Sequence, residues 1–435
     1  MQLYSTKHIS PDVDLKEAVL KGLPADNGLY MPYSIAPLPQ KFWDNLDNYT
    51  YTEMAFHIAQ HLIGADVPAA ELNKIIQSAY DFDAPLVEVG DYNVLELFDG
   101  PTLAFKDFGA RFMGQLMGYF LRNNDKEVNI LVATSGDTGS AVAHGFYNVD
   151  GIKVTILYPK GKVSDIQEKQ FTTLGANITA LEIDGTFDDC QALVKQAFLD
   201  KELNERLTLS SANSINIARL IPQSFYYIYA YKQLEDKSLP LYFSVPSGNF
   251  GNITAGLFAK IMGLPITKMI ASTNANDVFT QYHHSGNFEP KKSVQTISNA
   301  MDVGNPSNFA RMMDLYKNDL ANVQAEIAAY SFNDTQTADC IKKVYEQYNY
   351  VLCPHTAVGY LGMEKFVYDN DLNPLYINSV ILSTAHPVKF GEVVEPIIGN
   401  AVEIPDRLQS IINGKKQSIP MSADFESFKT WLLTK

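Results

Sequence analysis

The chain has little cysteine, a shortage of basic residues and no long apolar run. Its three cysteines, Cys190, Cys340 and Cys353, include no CxxC pair, which argues against a zinc knuckle and a disulfide scaffold. Lysine plus arginine number 34 against 49 aspartates plus glutamates, a net charge of −15 that opposes a general attraction to nucleic acid or anionic membrane. No stretch reaches the ~18 apolar residues of a membrane span, and the first residues lack an apolar signal core. We therefore expect a cytoplasmic protein with no metal site, no nucleic-acid partner and no membrane partner.

The 435 residues are too many for one core, so their number predicts two or three domains. Residues 1–80 show helical spacing at 51–62 and 69–80 and carry no candidate chemistry, which indicates a small packing or docking domain. From about residue 92, strands and helices alternate, with strands predicted at 94–98, 128–133, 153–158, 178–183, 241–245, 266–271 and 380–383. This alternation is typical of an α/β fold with parallel sheets. The polar, poorly periodic residues 273–310 are either a long loop over a site or irregular surface.

One lysine follows a turn and a short apolar run. Gly100 and Pro101 mark the turn, and the apolar residues 103–105 lead directly into Lys106. An apolar setting lowers the pKa of an amine and favours its neutral, nucleophilic form, which Schiff-base formation requires. The alternative is an ordinary surface lysine beside a turn, and this stretch alone does not decide between the two.

Two glycine turns follow predicted strands, where open parallel sheets bind ligands. Residues 134–140 (TSGDTGS) follow the strand at 128–133, and residues 246–252 (PSGNFGN) follow the strand at 241–245. Glycines and free backbone N–H groups at a helix start suit a carboxylate or a phosphate. The second turn is neither a Walker loop nor a GxGxxG motif, because it has no lysine and Pro246 stands in the first glycine position. Each turn alone could equally be an ordinary strand–helix connection.

Two further polar segments add possible ligands. Thr384 follows the last predicted strand and can hydrogen-bond a ring nitrogen, whereas we interpret His386 as a hydrogen-bonded structural residue. Arg219 ends the polar segment 210–219, and its planar guanidinium suits a phosphate dianion, although it could also be a surface arginine. A lysine, two anion sites and a hydroxyl for a ring nitrogen together fit pyridoxal phosphate chemistry.

The same motifs resemble, in order, those of the threonine synthase family. Residues 98–107 (FDGPTLAFKD) are similar to its cofactor-lysine motif, and residues 134–139, 246–252 and 384–390 are similar to its later motifs. Residues 27–32 (NGLYMP) resemble its N-terminal motif. The resemblance covers nearly the whole chain and points to the long subclass. It implies a fold-type II pyridoxal-phosphate enzyme, with two parallel-sheet α/β subdomains in residues 81–435 and a small N-terminal domain in residues 1–80.

The resemblance also implies a role for each site residue. Lys106 would bind pyridoxal 5′-phosphate covalently and then act as acid and base at the substrate carbons. Thr384 would bond the pyridine nitrogen, and Asp137, where shorter relatives and dehydratases have Asn, would lie near the 3′-oxygen. The cofactor phosphate would be held by Gly248, Asn249, Phe250, Gly251 and Asn252. The substrate's phosphate and carboxylate would be held by Ser135, Thr138, Asn213, Ser214 and Arg219.

The implied reaction converts O-phospho-L-homoserine and water to L-threonine and phosphate, by γ-elimination and then addition of water at Cβ, as the last step of threonine biosynthesis. Three alternatives are a serine/threonine dehydratase, a threonine-synthase-like phospholyase that forms 2-oxobutyrate, and a non-catalytic binding protein. A dehydratase has no use for a second phosphate site. The retention of Lys106 together with both glycine turns and the Thr384 segment argues against a binding protein. The long subclass implies a monomer.

Overall fold

The first eighty residues form three short strands and four α-helices. The structure, a computed structural model, describes residues 1–122 and 127–434. Helices lie where the spacing predicts them, within one residue at each end. The elements are β1 (Gln2–Ser5), β2 (Val13–Asp14), α1 (Leu15–Lys21), β3 (Tyr30–Pro32), α2 (Gln40–Asp44), α3 (Tyr51–Ile63) and α4 (Ala69–Ala79).

Residues 86–233 contain the first run of alternating strands and helices. The last helix of this run is buried over almost its whole length. Its sequence therefore lacks the alternation of apolar and polar faces that predicts a helix, and no helix is expected there from the sequence. The elements are β4 (Leu86–Val89), β5 (Tyr92–Glu96), α5 (Lys106–Leu121), β6 (Val128–Ala133), α6 (Asp137–Phe146), β7 (Ile152–Pro159), α7 (Asp165–Thr172), β8 (Ile178–Asp184), α8 (Phe187–Leu199), α9 (Lys201–Arg206), β9 (Thr208–Ser210), α10 (Ile217–Leu220) and α11 (Gln223–Gln233).

Residues 241–434 complete the fold. The polar residues 273–310 include one α-helix and a short 3-10 helix, Asn299–Met301. The elements are β10 (Leu241–Pro246), α12 (Gly251–Ile261), β11 (Ile266–Thr273), α13 (Val278–Ser285), α14 (Phe309–Leu315), α15 (Leu320–Glu326), β12 (Ile327–Ser331), α16 (Asp334–Tyr348), α17 (Pro354–Asp369), β13 (Asn378–Ser383), α18 (Gly391–Ile398), α19 (Asp406–Ile412), β14 (Ile419–Ser422) and α20 (Phe425–Thr434).

The strands form two large sheets and one small one. The six-stranded sheet has the order β12-β11-β10-β13-β5-β4 and is parallel except for β4, which pairs antiparallel with β5. The five-stranded sheet has the order β14-β8-β7-β6-β9 and is parallel throughout. The small sheet, β2-β1-β3, is antiparallel. This architecture confirms the predicted α/β class with two parallel sheets and a small N-terminal part.

The two large sheets are interleaved along the chain. The six-stranded sheet begins with β4 and β5, the chain then builds β6 to β9 of the five-stranded sheet, and it returns for β10 to β13. The final strand β14 goes back to the five-stranded sheet. No single cut in the sequence therefore separates the two sheets.

The N-terminal elements share a hydrophobic core with the rest of the chain. Tyr51 of α3 packs against Phe108 of α5 and Tyr229 of α11, with ring centroids 5.6 and 4.9 Å apart. The guanidinium of Arg111 donates to the backbone oxygen of Ala79 at the end of α4. Within residues 1–122 and 127–434, no helix combines the length and apolar character needed to cross a membrane.

Candidate active site

A cavity of about 380 Å³ opens between the carboxyl ends of the strands of the two large sheets. The segments after β5, β6, β10 and β13 all contribute to its wall, as expected for parallel sheets. Its lining contains Lys106, Asp137, Thr138, Asn213, Ser214, Arg219, Gly248, Asn249, Phe250, Gly251, Asn252 and Thr384. The structure thus brings together all the predicted site residues except Ser135, which is exposed and is not part of the lining.

Lys106 is the first residue of α5, and its side chain is only 18% exposed. The backbone before it is fixed to the segment after β13, because Phe105 N–H donates to Thr384 O at 2.9 Å and His386 N–H donates to Leu103 O at 3.0 Å. Burial lowers the pKa of Lys106, while the nearby carboxylate of Asp137 partly opposes this effect. The amine is therefore largely withdrawn from water, as the sequence suggests, but it faces a carboxylate rather than purely apolar groups.

Asp137 is the first residue of α6 and lies between two lysines. Its Oδ1 lies 2.7 Å from Lys389 Nζ and accepts a hydrogen bond from Gln167 Nε2 at 2.8 Å. Its Oδ2 lies 3.8 Å from Lys106 Nζ. Burial alone would raise the pKa of Asp137, but the two lysines and Gln167 hold it well below its ordinary value. The carboxylate is therefore ionised at neutral pH.

The turn that carries Asp137 is held by its own first residue. Thr134 Oγ1 accepts from the N–H groups of Gly136 and Gly139, at 3.0 and 2.8 Å. Gly136 has φ +146°, a left-handed conformation that favours glycine, and a Cβ there would lie 2.5 Å from Gln167. This compact turn directs Asp137 and Thr138 into the cavity.

The second glycine turn, residues 246–252, precedes α12. Phe250 has φ +61°, and a Cβ on Gly248 would lie 2.9 Å from Met301 Cα. Asn252 Oδ1 accepts from the hydroxyls of Tyr226 and Tyr227, at 2.6 and 2.8 Å, whereas its buried Nδ2 has no hydrogen-bond partner among the described residues. A buried donor without an acceptor is costly. A helix N-terminus attracts anions, so this turn fits a phosphate group.

Arg219 supplies a second anion site in the same cavity. Its Nη1 donates to Ala212 O at 2.6 Å, and its buried Nε lacks a partner within the described part of the chain. Burial lowers its pKa to about 10, so the side chain is a cation at neutral pH. Asn213 and Ser214 lie on the loop just before it and also face the cavity. The group fits a dianion separate from the one at residues 248–252.

The segment after β13 contributes Thr384 to the cavity wall. Its neighbour His386 accepts from Val388 N–H at 3.2 Å and packs its ring edge-on against Phe98. The His386 ring is thus hydrogen-bonded and packed, in agreement with its interpretation as a structural residue. Lys389, three residues further on, is completely buried beside Asp137.

The sequence analysis missed His355, which lines the cavity at the start of α17. Its Nε2 accepts from Ala300 N–H at 3.1 Å, and Ala300 and Met301 cover Gly248. Burial lowers the pKa of His355 to about 4, which keeps this nitrogen an acceptor. Residues 300, 301 and 307 belong to the polar stretch of uncertain purpose, and they line the cavity. The available signal was a histidine beside a proline within an otherwise apolar segment.

Arg311 was also missed, and it joins three parts of the molecule. It is fully buried, and its Nη2 donates to Tyr30 O at 3.1 Å and to Ile215 O at 2.6 Å. Its Nη1 donates to Asn308 Oδ1 at 2.8 Å, and Asn308 N–H donates to Asn249 O at 3.2 Å. The N-terminal motif, the Arg219 loop and the second glycine turn are thus linked through one side chain. No local signal predicts this, because Tyr30 lies 281 residues away in sequence.

Three family models match the chain. The model described as pyridoxal-phosphate dependent enzyme matches residues 89–383, threonine synthase N terminus matches residues 2–80, and threonine synthase C-terminal matches residues 356–431. The first match, which spans more than half of the chain, and the two-sheet fold define the class: a pyridoxal-phosphate-dependent enzyme of fold-type II. Pyridoxal 5′-phosphate is therefore its cofactor.

Individual relatives narrow this class. Threonine synthase of Haemophilus influenzae is 43% identical over 435 residues and covers all of both chains. The solved threonine synthase of Escherichia coli has a TM-score of 0.90 at 42% identity, with all of both chains covered. That of Brucella melitensis with bound pyridoxal phosphate has a TM-score of 0.94 at 34% identity, covering 100% of this chain and 99% of that one. The chain belongs to the threonine synthase family, a family of lyases.

Proposed function

We propose that this chain converts O-phospho-L-homoserine and water to L-threonine and phosphate. The observation that carries the proposal is the presence of two anion sites in one cavity with a buried lysine. Residues 248–252 offer backbone and amide donors, and Arg219 offers a buried cation with an unpartnered Nε. A phosphorylated substrate needs a phosphate site in addition to that of the cofactor. Membership of the threonine synthase family supports the same conclusion.

The residues proposed for the cofactor act mainly by holding and orienting pyridoxal phosphate. When bound, pyridoxal phosphate supplies a ring that withdraws electrons from the substrate carbons. Residues 248–252 would hold the cofactor phosphate through backbone N–H groups and the unpartnered amide of Asn252, and Thr384 would hydrogen-bond the ring nitrogen. Asp137 would serve the 3′-oxygen. Lys106 would be the covalent anchor.

The substrate residues fix the reacting carbons near Lys106. Arg219, Asn213 and Ser214 bind the substrate phosphate, which becomes the leaving group, so their donors stabilise the charge that builds on it. Thr138, which lines the cavity, is the hydroxyl available for the substrate carboxylate, whereas Ser135 lies outside the lining. Binding at both ends holds the substrate in one orientation, which raises the rate of each proton transfer.

Lys106 moves the protons. Removal of a proton from Cα and then from Cβ permits loss of the γ-phosphate, and water then adds at Cβ. Burial lowers the pKa of the amine and so increases the share of its neutral form, which can accept a proton. Asp137, which is ionised, faces the amine at 3.8 Å and stabilises it when it carries a proton.

The decisive experiment measures phosphate and L-threonine released from O-phospho-L-homoserine by the cofactor-loaded protein. Equal amounts of both support the proposal, and 2-oxobutyrate in place of threonine identifies a phospholyase. A visible absorption band that borohydride abolishes tests the covalent anchor separately. Absence of both the band and any product would overturn the enzyme assignment of the cavity.

We further propose a monomeric, cytoplasmic enzyme with an N-terminal domain in residues 1–80 and a catalytic region in residues 81–435. The three cysteines are free and buried, in agreement with a reducing compartment. The match of the N-terminal family model to residues 2–80 supports the domain division. Light scattering during size exclusion tests the oligomeric state, since a dimer has twice the 48.4 kDa mass of the chain.

A further inference from the structure

Lys389 is a buried cation that does not line the cavity. Its side chain has no exposed surface, and it lies in the short 3-10 helix Pro387–Phe390 that follows the Thr384 segment. Its Nζ donates to Thr102 O at 2.6 Å and lies 2.7 Å from Asp137 Oδ1. A lysine is rarely buried completely unless it is paired, so the role of Lys389 has to be sought in its partner, Asp137.

The partner, Asp137, is shared with Lys106. The carboxylate lies closer to Lys389, at 2.7 Å, than to Lys106, at 3.8 Å, and the two lysines face different oxygens. Gln167 bonds the same oxygen as Lys389 and fixes the carboxylate plane from that side. Lys389 and Gln167 therefore hold Oδ1 of Asp137, and Oδ2 faces the Lys106 amine.

Among the described residues, the other charged groups to consider near Lys106 are Arg219 and its chain neighbour Asp107. Arg219 and Lys389 both disfavour a proton on the Lys106 amine. Asp107 is buried and accepts from the N–H and hydroxyl of Thr102, at 2.8 and 2.6 Å. His355 is neutral, because burial lowers its pKa to about 4. Asp137 is therefore the principal anion facing Lys106, and Lys389 determines how much of its charge Lys106 experiences.

We propose that Lys389 is a positioning residue that divides the charge of Asp137 between two amines, so that Lys106 is not held as a tightly paired ammonium ion. With Lys389 present, Asp137 and Lys389 largely cancel, and the Lys106 amine loses its proton with little opposition. Without Lys389, the whole carboxylate charge would act on Lys106 in a site of low dielectric constant. The inference rests on the proposed role of Lys106 as the reactive amine, although its test requires neither turnover nor cofactor.

The test measures amine reactivity in the full-length chain freed of cofactor. Acetic anhydride labels neutral amines only, and mass spectrometry of peptides reports the extent of labelling of Lys106 between pH 6 and 10. For Lys389→Met, we expect labelling of Lys106 at pH 7.5 to fall about tenfold, as one pKa unit would produce. Lys389→Arg keeps the charge and should stay within about twofold of the parent.

The matched control is Lys429→Met, which removes a lysine that is paired with Asp200 and Glu202 at 2.9 and 3.0 Å and does not line the cavity. In this variant, the pH dependence of Lys106 labelling should equal that of the parent chain. A folded Lys389→Met protein with an unchanged Lys106 profile would overturn the proposal.

A second pair of variants covers the case in which Lys389→Met does not fold. Asp137→Asn leaves two amines without their shared carboxylate, so Lys106 should be labelled faster than in the parent. Adding Lys389→Met to this background removes a repelling charge and should slow the labelling again. Equal labelling of Lys106 in the single and the double variant contradicts the proposal. Because the readout is chemical labelling, a failure here is distinct from a failure to form threonine.

Discussion

The two glycine turns at the cavity have similar sequences but handle charge in opposite ways. The turn after β6 carries an ionised carboxylate, Asp137, with lysines on both sides. The turn after β10, residues 246–252, has no charged side chain and offers backbone and amide donors instead. The carboxylate of Asp137 therefore faces the Lys106 amine. The uncharged donors of residues 246–252 are left for an anion, which Asp137 would repel. This difference supports the proposal that the first turn serves the amine and the second holds the cofactor phosphate.

The turns also differ in what holds them in place. The first is closed by Thr134, which bonds two N–H groups within five residues. The second is supported from outside, by Met301 against Gly248 and by Ser307 and Asn308 on Asn249. A locally closed turn tolerates distant changes, whereas an externally supported one depends on the residues that cover it. Each prediction below breaks one side of this comparison.

The largest effect is expected from Lys106→Ala, which removes the amine that the first turn faces. Turnover should fall by at least about 10³-fold, because both the anchor and the proton-transfer group are lost. The rate of threonine formation checks this, and circular dichroism checks that the fold is retained. Threonine formation at a near-normal rate would refute the role of Lys106.

Arg219→Ala tests whether the cavity holds a second anion site distinct from the neutral turn. Loss of a charge-assisted hydrogen bond should raise the KM for O-phospho-L-homoserine about 100-fold, while the Kd for pyridoxal phosphate changes far less. Steady-state kinetics and cofactor titration give the two values. Arg206→Ala is the control, since Arg206 is largely exposed and lies outside the cavity lining. Equal losses of substrate and cofactor binding would place Arg219 at the cofactor instead.

Gly248→Ala tests the external support of the second turn. Its Cβ would lie 2.9 Å from Met301 Cα and 3.3 Å from Ala300 O, and backbone atoms cannot move aside cheaply. We expect the Kd for pyridoxal phosphate to rise about tenfold, in line with the cost of overpacking. Gly391→Ala is the matched control, because Gly391 lies outside the cavity lining at the start of α18, with φ −53° and ordinary contacts. Unchanged cofactor affinity in Gly248→Ala would mean that the covering segment is not rigid.

The smallest effect concerns pH and His355, which supports the covering segment through Ala300. Its pKa is lowered to about 4, against about 6.5 in an unfolded chain. Between these values the unfolded chain binds a proton that the folded one does not, so the free energy of unfolding decreases as the pH falls. In His355→Gln this decrease should be smaller by about 1.6 kcal/mol between pH 6.5 and 5. Urea unfolding of both proteins at both pH values checks this. The same decrease in the free energy of unfolding in the parent and in His355→Gln would contradict the prediction.

The sequence predicted what is encoded locally. The strand at 128–133 has its predicted bounds, because a short apolar run rich in β-branched residues and followed by a glycine turn favours a buried strand over a helix. The predicted site residues belong to motifs that follow strands, and all of them except Ser135 line the cavity. His355 and the covering residues 300, 301 and 307 also line it and were not predicted. What failed depends on distant partners: Lys389 bonds Thr102 across 287 residues and Arg311 bonds Tyr30 across 281. The burial of α11 on all sides likewise follows from packing that no local period records.

The interleaving of the two sheets has a consequence for how the chain is made. Strands β5 and β13 are neighbours in the six-stranded sheet, and the backbone beside Lys106 is bonded to Thr384 and His386. During synthesis from the N-terminus, Lys106 emerges long before this partner segment exists. The cavity is thus completed only when almost the whole chain has been translated. Because non-local strand pairing is slow to form, the assembly of β13 next to β5 should be the event that converts an inert nascent chain into one able to capture its cofactor.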